Sequence, residues 1–81
     1  MPKPNFPHEA IKVIKRVLAA NAHKYEPGHW RTVPELEHVH HADEHTLMHM
    51  IGDKDEPHLD HAAVRLLMAI AVRESKSQED K

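Results

Sequence analysis

HVHHADEHTLMHMIGDKDEPHLDH, residues 38–61, holds seven of the chain's ten histidines and six carboxylates: Asp43, Glu44, Asp53, Asp55, Glu56 and Asp60. Its punctuation decides the fold. Gly52 is a natural stop for a helix arriving from upstream. Pro57 suits the first turn of the next helix, where its missing N–H costs nothing. Asp53, Asp55 and Glu56 between them favour the positive start of that second helix. The stretch therefore reads as helix, short acidic turn, helix, and a turn this short implies antiparallel packing.

Outward from that turn, helix 2 begins near Glu35, behind Pro34, and ends near Ile51. Leu36, Val39, Leu47, Met50 and Ile51 mark the side expected to be buried, with Asp43 close to it. Helix 3 spans about Pro57 to Glu74. Ala62, Ala63, Leu66, Leu67, Ala69, Ile70 and Val72 make it the most apolar segment, broad enough to face two neighbours. The polar tail SKSQEDK, residues 75–81, is expected to fray. Upstream, residues 1–6 form an extended lead-in. Helix 1 follows from about Pro7 to Tyr25, with Ile11, Ile14, Leu18 and Tyr25 at helical spacing. Lys12, Lys15 and Arg16 lie off that stripe, on a solvated face, and Pro27-Gly28 breaks the helix. The fold class is all-α: an antiparallel hairpin of helices 2 and 3 plus helix 1, in one domain over residues 1–81.

Eighty-one residues leave no room for a second core. Chains this small often lean on a metal or an oligomer interface, so a homodimer or larger assembly is expected to complete the fold. The absence of cysteine excludes disulfides and thiolate zinc sites. A net charge of −2 is not the balance of a duplex nucleic-acid binder. No apolar run reaches the length of a membrane span, and MPKPNFP lacks a signal-peptide hydrophobic region. The expected location is the cytoplasm.

The chemistry follows from spacing. His41, His45 and His49 recur at i, i+4, i+8 on helix 2, while His58 and His61 stand at i, i+3 on helix 3 with Arg65 beyond. Antiparallel packing brings His45, His49, His58 and His61 to one end of the molecule. Histidines so spaced chelate first-row metals, with Asp53, Asp55, Glu44 or Asp60 at hand to complete the shell. The metal set is thus His45, His49, Asp53, His58 and His61, and Glu44, His45 and Asp60 are candidates to activate water. The connector YEPGHWRTVPE carries the only Trp and Tyr. Trp30 suits a lid over a small core. Equally, Lys24, Tyr25, His29, Trp30 and Arg31 combine flat rings with cationic donors, the equipment for stacking a base and holding phosphate, with Arg65 as a further donor. No Walker loop, dinucleotide-binding glycine pattern or His-Asp dipeptide of the kind metal phosphohydrolases use is present.

Lys24-Tyr25, Trp30-Arg31, His45, Asp53 and His58-Leu59-Asp60-His61-Ala62 together resemble, over about residues 3–74, the N-terminal domain family named for dATP/dGTP diphosphohydrolases. That family comprises small phage and bacterial helical proteins related to MazG-like nucleotide pyrophosphohydrolases. The resemblance implies purine nucleotide binding, and metal-dependent cleavage to monophosphate and pyrophosphate. Here Asp60 replaces the usual small residue between the histidines. MazG-like enzymes hold magnesium with Glu-x-x-Glu and Glu-x-x-Asp on facing helices, and neither pair is so placed on helices 2 and 3. A histidine-rich site suits Mn²⁺, Ni²⁺ or Zn²⁺ better than Mg²⁺. Three readings follow: a nucleotide-binding pyrophosphohydrolase, a non-catalytic module that sequesters nucleotides (cyclic ones included), and a histidine-rich metal-binding helical protein.

Overall fold

The computed structural model describes residues 6–21 and 28–79, with side chains described as far as residue 76. Three helices form: α1 over Phe6–Asn21, α2 over Glu35–Met50 and α3 over His58–Glu79. A 3-10 turn, His29–Thr32, precedes α2. Among the described residues there is no strand. Nor is any helix among them long and apolar enough to cross a membrane.

Gly52 ends α2 as its position predicts. Its φ of 91° lies in the left-handed region that only glycine enters without cost. The Gly52 N–H donates to His49 O and the Asp53 N–H to Met48 O, both at 3.1 Å, the paired bonds of a Schellman stop. That stop fixes Asp53 at the mouth of the turn. At the far side the His61 N–H donates to Pro57 O at 3.1 Å, so α3 starts immediately behind the proline.

The antiparallel register is read from two contacts. The His45 ring meets the His58 ring; seven residues earlier on α2, His38 meets Arg65, seven residues later on α3. Seven residues are close to two turns, so both contacts fall on the same facing stripes. α1 lies against α3, burying Val17, and Arg16 reaches across to Asp60 at 2.7 Å. Arg16 lies exposed, on the solvated face expected of it, and from there ties α1 to α3.

Two expectations are corrected. The apolar stripe of α2 is not its buried side: Leu36, Leu47, Met50 and Ile51 are 77%, 55%, 74% and 75% exposed, and Val39 is exposed too. The helix turns His38 and Ala42 inward instead. On α3 the short side chains Ala62, Val64, Ala69 and Val72 are likewise buried, and Leu66, Leu67 and Ile70 are not. Short side chains let packed helices approach closely and leave little room for leucines, whereas imidazoles beside the seam find hydrogen-bond partners. The second correction is the tail. α3 continues through Ser75 to Glu79 rather than ending at Glu74. No Gly or Pro interrupts it, and Lys76, Gln78 and Glu79 are good helix formers. Tyr25, the expected end of helix 1, lies outside the described residues.

Candidate functional site

The acidic turn and the two helix ends beside it build a compact cluster. Asp53 Oδ2 accepts from His58 Nε2 at 2.5 Å, and His58 Nδ1 faces His45 Nδ1 at 2.8 Å. The carboxylate can only accept, so the proton of a neutral His58 sits on Nε2 and its Nδ1 lone pair points at His45. One proton then lies between the two Nδ1 atoms, donated by His45. Glu56, the last acid of the turn, brings a carboxylate oxygen to the same place. Ligand atoms of His45, Glu56 and His58 all lie within 4.8 Å of one another. His61 closes the rim: its ring centroid is 5.1 Å from that of His45, edge-on, and its Nδ1 is 3.5 Å from Glu56 Oε1.

Electrostatics suits this arrangement to a cation. Burial holds the His45 imidazole below its ordinary value of 6.5, and the neighbouring His61, His58 and Arg65 push the same way against the opposing pull of Glu56. His45 therefore stays neutral near pH 7, the form that ligates a metal. His58 is buried, and the carboxylate behind it fixes its ring as carboxylates fix metal-binding histidines.

Two turns away lies a second buried polar group. His38 has no exposed surface; its Nε2 donates to Trp30 O at 2.9 Å and its Nδ1 receives Arg65 Nη1 at 3.0 Å. A cleft of about 760 Å³ joins the two regions, lined by Trp30, His38, Arg65, His45, Glu56 and His61 among others. That volume falls within the range of small-molecule sites.

The expected site residues divide. His45, Asp53, His58 and His61 meet as the spacing predicts. His49 is exposed, one turn beyond, beside a separate cleft of about 550 Å³ over the turn. Glu44 is exposed and engages His40 at 3.3 Å and His41 at 3.6 Å. Asp60 is held by Arg16. Of the connector residues, Trp30 and His29 line the large cleft, and the Arg31 guanidinium lies 5.1 Å over the Trp30 ring, covering one of its faces. Lys24 and Tyr25 lie outside the described residues. Sequence reasoning passed over Glu56 and His38 as site residues. Glu56 was legible as the acid two places before His58, across a proline that fixes the chain's course. His38 was legible as two helical turns above His45.

No curated protein and no solved structure matches the chain. The family model described as dATP/dGTP diphosphohydrolase, N-terminal, matches residues 3–81, nearly the whole length, and the chain belongs to that family.

Proposed function

We propose that the cleft binds a purine deoxynucleoside triphosphate together with a divalent metal ion, and that the chain cleaves it to monophosphate and pyrophosphate. The observation that carries this reading is a cleft with two members of the chelating cluster, His45 and Glu56, along one part of its wall and Trp30 and Arg65 along another, while His58, the third member, lines the adjoining cleft over the turn. His45 and His58 would ligate the metal through nitrogen and Glu56 through oxygen, with Asp53 orienting His58. Two imidazoles and one carboxylate suit Mn²⁺, Ni²⁺ or Zn²⁺, and fit poorly the all-oxygen preference of Mg²⁺. Such an ion supplies an acidified water and neutralises phosphate oxygens. The free face of Trp30 would stack the base, and Arg65 would hold phosphate. With Glu44 and Asp60 engaged elsewhere and Glu56 on the metal, His61 at the rim would take the proton. Incubation with dATP or dGTP and Mn²⁺ should release monophosphate and pyrophosphate; intact nucleotide under every metal ends the enzyme reading.

The engagement of three acids favours a second reading. Asp53 is taken by His58, Asp60 by Arg16 and Glu44 by two histidines, which suits a module that sequesters nucleotide without cleaving it. Calorimetry showing tight binding with the nucleotide recovered whole would select it.

We further propose that the chain acts as a homodimer in the cytoplasm. Its outward leucines on α2, with Leu59, Leu66, Leu67 and Ile70 on α3, leave more apolar surface open than a small lone domain usually carries.

A further inference from the structure

We propose that His38 is the positioning residue of the cleft: it sets the Arg65 guanidinium as an anion receptor and locks that receptor to the Trp30 turn. The inference rests on the nucleotide reading above. His38 is the one fully buried large side chain among the described residues, and both its ring nitrogens are used. Trp30 O can only accept and the Arg65 guanidinium can only donate, so the ring is held as the neutral tautomer with its proton on Nε2. No rotation or flip of that ring keeps both bonds.

Arg65 is the other half of the argument. It is half-buried, lines the cleft, and forms no ion pair with a carboxylate among the described residues. Its one described side-chain bond is to a neutral nitrogen, which orients the guanidinium without cancelling its charge. The remaining N–H groups are left to bind an anion, the fork-shaped donor geometry that matches phosphate. Because the same imidazole bonds the backbone of Trp30, the distance between the stacking ring and the phosphate donor is fixed by one side chain. A leucine in its place would fill the seam but release both.

Three variants separate this role from a merely structural one. An asparagine oxygen stands about where Nδ1 does, and a glutamine amide about where Nε2 does. His38→Asn should therefore keep the Arg65 bond, and His38→Gln only the Trp30 bond. Pyrophosphate affinity, measured by calorimetry on the Mn²⁺-loaded protein, should fall about tenfold to hundredfold in His38→Leu and His38→Gln, the range for losing a charged hydrogen-bond partner. It should recover in His38→Asn, while Mn²⁺ affinity stays unchanged in all three. His38→Leu combined with Arg65→Ala should be no weaker than Arg65→Ala alone. Wild-type affinity in His38→Leu overturns the inference, as does parallel loss of Mn²⁺ and pyrophosphate, which would mark His38 as structural. If the wild type binds Mn²⁺ but neither pyrophosphate nor dATP, the nucleotide reading fails and this inference with it.

Discussion

The two faces of α2 are opposites in composition and exchange the places that composition assigns them. The inner face, His38, Ala42 and His45, is nearly all imidazole and methyl. The outer face carries the helix's large hydrocarbons, Leu36, Leu47 and Met50, beside charged Glu37 and Glu44, and it is the one in water. Burial here follows size before hydropathy: on α3 the short side chains Ala62, Val64, Ala69 and Val72 are buried, and the longer Leu66, Leu67 and Ile70 are not. The buried histidines become chemistry, and the displaced leucines become surface.

The sharpest way to break that contrast is at the inner face. His58→Ala should abolish chelation, lowering Mn²⁺ or Zn²⁺ affinity by about 100-fold or more, because it removes a ligand and frees Asp53 from its task. Asp53→Asn should cost about 10- to 100-fold in a metal titration, the range for losing an outer carboxylate that orients a ligating ring. At the outer face, Leu47→Glu with Leu66→Glu should turn a dimer into a monomer in sedimentation while the helical circular dichroism persists. An unchanged sedimentation coefficient would leave the outer face without a partner.

At the inner face pH acts through His45. His45 titrates below 6.5 when folded, so between that lower value and 6.5 the unfolded chain binds more protons at this site. Stability from His45 is therefore full above pH 6.5 and is lost as pH falls through the window. Urea midpoints should drop between pH 7 and pH 5, and His45→Gln should flatten the dependence. Flat midpoints in the wild type would contradict it. The smallest effect belongs to Glu44→Gln, whose exposed contacts with His40 and His41 are worth about 0–1 kcal/mol. Metal affinity and activity should change less than about twofold.

Much of this was legible from residue order. Gly52 and Pro57 bracket the turn by backbone rules that tertiary context rarely overrides, and so fixed the hairpin. Histidine spacing then fixed which rings could meet. The inner and outer faces of α2 were not legible, because a stripe of leucines signals burial only against a partner with room for them. The short buried side chains that set that room, Ala62, Val64, Ala69 and Val72, sit on another helix. Glu56 escaped notice for a related reason: its reach into the cluster depends on the chain's path through Pro57. The extension of α3 to Glu79 was hidden by polarity, which reads as disorder when no breaker marks an end.

A calorimetric titration of the purified chain with Mn²⁺ and Zn²⁺, beside His58→Ala and His40→Ala, bears most directly on the inner-face cluster. One ion per chain should bind the wild type and His40→Ala alike, and none should bind His58→Ala with comparable affinity. Equal stoichiometry and affinity in all three would mean that the rings at the turn hold one another rather than a metal.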